Sequence, residues 1–400
     1  MHTSPFTAVD LFCGAGGLSL GLVRAGFYMR CAVDHYAPAL ATYAANLGEH
    51  TRCRDLATEA VDLPPATLIV GGPPCQGFSS AGMRRNGDAR NSLVYCFAQT
   101  VAHLRPRAFL FENVEGFLTA EGGQRVFDLL DPLIAAGYRI HLRKINAANY
   151  GVPQHRKRVI ALGGLGWEPT FPAPTHTAYG APGADLAARR LPHTPTLLAA
   201  INDLPPPATM PPGVPPGHVA YPLRGIDLAR AEALGPGQTM RDLPDELQHK
   251  SYTRRANRRV MDGTPTERRG GAPTGIRRLQ PDAPAKTITG GALAEFLHPR
   301  EHRPLTLREC ARLQTFPDTF IFQGSIAQQI ALIGNAIPPL LAEILAHQLL
   351  HDLMQHPQPG EAAGALLSFV PTLSTGYSPI LRTVTERVQA RFGVGQMRLF

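Results

Sequence analysis

The apolar run Ala66-Thr67-Leu68-Ile69-Val70 leads directly into Gly71-Gly72-Pro73-Pro74-Cys75-Gln76-Gly77-Phe78-Ser79. No other stretch constrains the fold as much. A short apolar run followed by glycine and proline reads as a buried strand that stops abruptly. The two prolines fix their own φ and restrict the residues before them, so the backbone carrying Cys75 is stiffened. A thiol at the exit of a buried strand sits where open α/β sheets place their ligands. A cysteine that only filled a core would need none of this punctuation.

The surrounding pattern agrees with an α/β sheet. Over residues 1–165 short apolar segments alternate with helical ones, the βαβ rhythm of a parallel sheet. Strands are expected at Ala8–Phe12, Tyr28–Val33, Thr67–Val70, Ala108–Glu112, Tyr138–Lys144 and Arg158–Leu162. Helices are expected at Leu18–Ala25, Pro38–Asn46, Ser92–Leu104 and Gln124–Ala136. After Trp167 the character changes. Fourteen prolines fall between Pro169 and Pro222, too dense for long helices or central strands. Patterning returns at Thr306–Gln314, and Leu341–Met354 reads as an amphipathic helix. Residues 353–400 form a tail to which the sequence assigns no role.

Charge gives a second constraint. The chain of 400 residues carries a formal net charge of +8, which suits a polyanionic partner. Much of the excess is local. Between Ser251 and Gln280 lie the doublets Arg254/Arg255, Arg258/Arg259, Arg268/Arg269 and Arg277/Arg278, opposed only by Asp262 and Glu267. Arginine makes bidentate contacts with phosphates and guanine edges, so nucleic acid is the expected partner. The six cysteines form no C-x-x-C pair and no zinc-ligand spacing, so no metal is expected. Apolar runs are too short to span a bilayer, and no export signal is evident at the N-terminus. The expected setting is a soluble cytoplasmic one with no membrane partner.

Three further segments read as carrying chemistry, and a fourth, Gly334–Pro339, is by sequence logic only a turn. Asp10-Leu11-Phe12-Cys13-Gly14-Ala15-Gly16-Gly17-Leu18-Ser19 follows the first strand, and its glycines let the backbone approach a ligand. Asp34 ends the next strand, where a carboxylate can accept from ribose hydroxyls. Both S-adenosylmethionine and NAD(P) fit that geometry, although Ser19 stands where the dinucleotide fingerprint needs glycine. Phe111-Glu112-Asn113-Val114 ends another strand and points a carboxylate into the crevice. Gln154-His155-Arg156-Lys157-Arg158 places Arg156 and Arg158 on one face if extended. Gly334-Asn335-Ala336-Ile337-Pro338-Pro339 opens the last clear helix.

Together these segments resemble the cytosine-C5 DNA methyltransferase family, with the family's motifs in the family's order over most of residues 8–345. Asp10–Gly21 resembles its cofactor motif, Gly72–Ser79 its Pro-Cys motif and Phe111–Val114 its Glu-Asn-Val motif. Gln154–Arg158 resembles its Gln-x-Arg-x-Arg motif, Arg277–Gly291 the motif supporting target recognition and Gly334–Pro339 the final motif. The resemblance implies an α/β fold: a doubly wound Rossmann-like domain that binds S-adenosylmethionine, with a second, smaller, irregular target-recognition domain. The first would span residues 1–165, completed by 332–352, and the second 166–331.

It also implies roles. Cys75 would add to cytosine C6, converting the ring to an enamine whose C5 attacks a methyl group. Glu112 would contact N3, Asn113 would share its motif, and Arg156 and Arg158 would orient the base. Cofactor contacts would come from Phe12, Gly14, Gly16, Asp34, His35, Asp55, Leu56, Pro74, Leu93, Asn335 and Ala336. The segment Ser79–Asn91, with Ser79, Arg84 and Arg85, would close on double-stranded DNA, and the target base would be flipped out. A compact single-chain enzyme of this kind looks bacterial and is expected near the nucleoid, with a restriction endonuclease for the same site as a possible partner.

Three other functions compete. An RNA methyltransferase of the same fold is disfavoured by Gln76-Gly77 and the long recognition region. A silent DNA-binding module would lack Cys75 or Glu112, and both are present. An NAD-dependent oxidoreductase is disfavoured by Ser19.

Overall fold

A computed structural model describes residues 5–59, 62–74, 93–177, 190–207, 216–249, 275–373 and 378–394. Cys75, Ser79, Arg84, Arg85, Arg254, Arg255, Arg258, Arg259, Arg268 and Arg269 lie outside the described residues. The chain divides into two compact units: Met1–Thr194 with Ala336–Phe400, and Pro195–Asn335.

The first unit begins with β1 (Thr7–Leu11), α1 (Gly17–Ala25), β2 (Tyr28–Asp34), α2 (Ala37–Leu47), β3 (Thr51–Cys53) and β4 (Leu68–Gly71). It continues with α3 (Leu93–Leu104), β5 (Ala108–Val114), α4 (Gln124–Ala135), β6 (Tyr138–Asn146) and β7 (Lys157–Leu165). The second unit holds α5 (Leu197–Ile201), α6 (Gly225–Ala233), α7 (Leu307–Leu313) and α8 (Ile326–Asn335). The chain then returns to the first unit with α9 (Pro339–Gln355), β8 (Ala365–Val370) and α10 (Pro379–Phe392).

The strands of the first unit form one sheet in the order β8-β6-β7-β5-β4-β1-β2-β3. From β3 to β5 all neighbours are parallel. Strand β7 runs antiparallel to both β5 and β6, and β8 is parallel to β6. Helices α3, α4 and α10 pack one face through Phe97, Val126, Leu130, Val384 and Val388. Helices α1 and α9 pack the other through Leu18, Leu22, Leu341 and Leu345. With both faces covered, the strands are continuous apolar runs, and Ala8, Val9 and Leu11 of β1 have no exposed surface. This is a doubly wound sheet of the Rossmann type.

Strand order fixes the crevice. From β1 the chain winds outward to β2 and β3, then crosses back to β4 and β5. The switch lies between β1 and β4, where a doubly wound sheet binds its ligand beyond the carboxyl ends. Leu11 pairs with Gly71 there, so Phe12–Gly16 and Gly72–Pro74 leave the sheet side by side. Gly71 is required for this approach, because a Cβ on it would stand 2.5 Å from the Leu11 carbonyl oxygen. Gly21 does the same for the helices: a Cβ there would stand 2.4 Å from that of Ala342 on α9.

The tail left without a role by the sequence is part of the sheet. Ser368 of β8 accepts from Arg143 Nε at 3.0 Å and lies 2.7 Å from His141 Nδ1, both on β6. Phe392 of α10 stacks on Phe127 of α4, and Arg391 pairs with Asp131 at 2.7 Å.

The second unit has short elements, as its proline content demands. Arg277–Arg278 pairs in parallel with Phe296–Leu297, and a small core forms from Ala231, Leu234, Met240, Leu243 and Leu297. Loops bury carbonyls that no ladder satisfies, and buried guanidinium groups supply the donors. Arg308 donates to Pro216, Pro317 and Phe320 at 2.9, 2.8 and 2.7 Å.

Candidate active site

The turn after β1 is held from several sides. Phe12 has φ 61°, Gly14 53° and Gly16 89°, all left-handed. Phenylalanine rarely adopts that region, so the strain at Phe12 marks a constrained backbone. Gly14 N–H donates to Asp34 Oδ2 at 2.9 Å, and Tyr36 N–H donates to Asp34 Oδ1 at 2.9 Å. One carboxylate at the end of β2 therefore ties the turn after β1 to the turn after β2. His35 lies beside it, its ring 67% exposed and 3.5 Å from Asp34. Asp55 follows β3 and accepts from Ala57 N–H at 2.9 Å, while Leu56 and Phe12 pack on the edge of the core. Leu93 opens α3, and Pro74 is exposed at the end of the described β4 exit.

Glu112 is the second focus. It lies near the buried end of β5, with 8% of its surface exposed, and pairs with Arg158 Nε at 2.6 Å. The antiparallel ladder sets Val114 opposite Arg158, which brings the start of β7 to the end of β5. Burial raises the Glu112 carboxyl above its ordinary range, against the opposing pull of Arg158 and Arg156. Its Oε2 lies 2.9 Å from where a Cβ on Gly72 would stand, so a side chain there would have to displace the carboxylate. Asn113 donates from Nδ2 to the Pro73 carbonyl at 2.8 Å. The β5 end and the β4 exit are therefore joined two residues before Cys75.

Arg156 is fully buried and donates from Nη2 to the Ala336 carbonyl at 2.8 Å, anchoring the chain where it re-enters the first unit. Asn335, the preceding residue, is exposed and belongs to the second unit.

The described members of the last arginine doublet differ. Arg277 is half-buried, with its guanidinium 5.9 Å over the Phe296 ring. Arg278 departs from the expectation of DNA contact. It is 3% exposed and donates to the carbonyls of Ala231, Leu234, His298 and Glu301 at 2.6 to 2.7 Å. Those bonds consume its fork and make it a strut of the second unit.

Comparison with known proteins fits this arrangement. The model of the C-5 cytosine-specific DNA methylase family matches residues 6–206 and 225–351.

The chain belongs to that family.

The methylase is 33% identical to the Type II methyltransferase M.AgeI of Thalassovita gelatinovora, over 85% of this chain and 98% of the relative. It is 32% identical to the Type II methyltransferase M1.HphI of Haemophilus parahaemolyticus, over 88% of each chain. Among solved structures, a prophage-encoded E. coli protein described as a DNA modification methyltransferase has a TM-score of 0.62. It is 24% identical, over 88% of this chain and 100% of that one. The Dnmt2 methyltransferase of S. pombe shares the fold at a TM-score of 0.50 and 16% identity, over 88% and 99% of the two chains.

Enzymes of this family use S-adenosylmethionine, and the first unit fits it. A Cβ on Gly14 would meet nothing within 4 Å, so the turn offers bare backbone above the switch point. Asp34 supplies a carboxylate beside that turn, accepting from Gly14 N–H.

Asn146 and the Asp10–Ser19 pairing were not read from the sequence. Asn146 is buried, and its Oδ1 accepts from Arg156 N–H at 3.1 Å and Ala148 N–H at 3.2 Å. Its signal was an Asn ahead of a short helical turn, the N-cap preference. Asp10 and Ser19 form a buried pair, with the hydroxyl donating to Oδ2 at 2.6 Å. No spacing rule links them, because the contact spans the glycine turn.

Proposed function

We propose that this methylase modifies C5 of a cytosine flipped out of a specific duplex DNA sequence, through a covalent adduct of Cys75 at C6. The observation that carries the reading is the buried Glu112–Arg158 pair, tied through Asn113 to the Pro73 carbonyl. An acid and a strand exit are locked together there, and the exit leads straight to Cys75.

The chemistry uses the chain's own groups as follows. The Cys75 thiolate gives an electron pair to C6, and the C5–C6 π pair moves towards N3 as Glu112 delivers a proton. Burial raises the Glu112 carboxyl, the direction that favours carrying a proton, against the pull of Arg158 and Arg156. Arg158 orients Glu112, and Arg156 anchors the chain at Ala336. Bound S-adenosylmethionine would supply an electrophilic methyl group; C5 takes it with the enamine pair as S-adenosylhomocysteine leaves and N3 returns its proton to Glu112. Loss of the C5 proton to a base then returns the electron pair and expels the Cys75 thiolate. Unstacking the base is required, because C6 is out of reach within the duplex.

The setting is a bacterial restriction–modification pair, with a cognate endonuclease reading the same site and the methylase working on cytoplasmic DNA. The similarity to two Type II methyltransferases supports it. Sequence readout falls to the second unit, with Arg277 and the arginine doublets before it as contacts.

Bisulfite sequencing of DNA from cells expressing the chain tests the activity and gives the target. A duplex carrying 5-fluorocytosine at that target tests the adduct, since fluorine cannot leave as the C5 proton does. The parent should give a denaturation-resistant complex and Cys75→Ala none. Trapping by the alanine variant would end the covalent mechanism.

A further inference from the structure

The glycine turn rests on a residue that the chemistry does not use. Tyr43 of α2 is completely buried, in a small cluster with Cys13, Ala32 and Leu40. A Cβ on Gly16 would stand 2.9 Å from Tyr43 Cδ2 and 2.6 Å from Leu47 Cδ1. The ring edge therefore occupies the space where a side chain at Gly16 would go, and the turn lies directly against it. The other end of the ring is also fixed. The Tyr43 hydroxyl is 3.0 Å from His50 Nε2, and the two rings meet edge to face at 5.3 Å.

The partner of the Tyr43 hydroxyl leads to a second of the loops read as the ligand site. The His50 carbonyl accepts from Ala32 N–H at 3.0 Å, so His50 begins the β2–β3 pairing. Strand β3 then runs to the Asp55 turn. Beneath the turn Ser19 donates to Asp10 at 2.6 Å. Asp10 lies on β1 and Ser19 on α1, the two flanks of the glycine turn. Tyr43 thus links the glycine turn, against its ring, to the half-exposed ring of His50 at its hydroxyl.

We infer that Tyr43 is a positioning residue for S-adenosylmethionine, with His50 fixing its hydroxyl. Its ring sets the height of Gly16, and its hydroxyl couples that turn to β3 and the Asp55 turn. The inference rests on the reading of these loops as the cofactor site. It assigns Tyr43 no contact with the ligand. A turn held in its bound shape binds more tightly, because less ordering is needed on association.

The experiment measures binding of S-adenosylhomocysteine by calorimetry, with activity as a second readout. Tyr43→Phe keeps the ring and removes the hydroxyl. The loss of one such bond predicts Kd raised about fivefold. The same principle predicts a similar rise, about fivefold, for His50→Ala, partly restored by His50→Gln. The double variant should be no worse than either single one, because both remove one link. KM for S-adenosylmethionine should rise in step, with kcat at saturation and KM for DNA near the parent values. A merely structural defect would lower the melting temperature and the active fraction instead of moving one KM. His50 is at the surface, so its variants keep the test decisive if Tyr43→Phe folds poorly. Parent-like affinity in folded Tyr43→Phe and His50→Ala, or a fall in kcat at unchanged affinity, overturns the inference alone. A parent chain that fails to bind S-adenosylhomocysteine overturns the cofactor reading and this inference with it.

Discussion

The Asn113 side chain donates to the Pro73 carbonyl at 2.8 Å, and this bond lies wholly inside the protein. It joins the end of β5 to the exit of β4. Asn113→Ala removes a buried donor, which should cost about 1–3 kcal/mol of stability. It should also slow methyl transfer while S-adenosylmethionine affinity stays near the parent value, since the Gly14 turn is untouched. Denaturant melts and single-turnover rates at saturating substrates check both parts. A parent-like rate in Asn113→Ala would mean that the β4 exit holds its shape without this bond.

Glu112 and Asp34 are both strand-end acids, yet they should fail differently. Glu112→Gln keeps the shape but has no proton to give at N3, so kcat should fall by at least about 100-fold. Asp34→Ala frees Gly14 and Tyr36 N–H groups, so cofactor Kd should rise about 10-fold or more while DNA affinity holds. Calorimetry with single-turnover assays separates the two. One shared defect would show that the roles are misassigned.

Burial pushes the Asp10 carboxyl up to about 7, against the Ser19 hydrogen bond. Between its unfolded value near 3.9 and the folded one, the native chain holds a proton that the unfolded chain has lost. Stability contributed at Asp10 is therefore greatest in acid and declines as pH rises through 7. The span corresponds to a loss on the order of 4 kcal/mol. Asp10→Asn removes that titration, so its stability relative to the parent should climb from pH 4 to pH 8. Urea melts across that range give the difference directly, and parallel curves for the two proteins would refute it.

Arg277 and Arg278 are neighbours with opposite fates. Arg278→Ala strands three buried carbonyls and one part-buried one, and should cost roughly 3 kcal/mol or more. Arg277→Ala should leave the melting temperature nearly unchanged and lower the salt slope of DNA binding by about one unit if it meets a phosphate. Differential scanning calorimetry and a salt series on cognate duplex test the pair. An Arg278 variant that melts with the parent would contradict the strut.

Much of the first unit was legible because parallel strands covered on both faces are plain apolar runs. Ala108–Glu112 and Tyr28–Val33 were expected within a residue or two of where β5 and β2 lie. The glycine and proline punctuation fixed the turns after β1 and β4 for the same reason. The tail was opaque. Ser368 interrupts β8 and reads as surface, but His141 and Arg143 on distant β6 satisfy it. The arginine doublets could not be sorted either, since a two-residue strand sends adjacent side chains to opposite faces. Asp10 and Ser19 were each visible, but their bond exists only once the turn has closed.

Gly21 meets Ala342, and this pairing has a consequence for the order of events during synthesis. Helix α1 is among the first elements to leave the ribosome, and α9, which covers it, follows only after the whole second unit. At about 5–20 residues per second, the apolar face of α1 waits many seconds for its cover. Strand β6 waits likewise for β8. The second unit is contiguous and can fold while the first is still open. Newly made chains would then acquire their target-reading part before the sheet that carries the chemistry is closed, and chaperones would meet the α1 face in the interval.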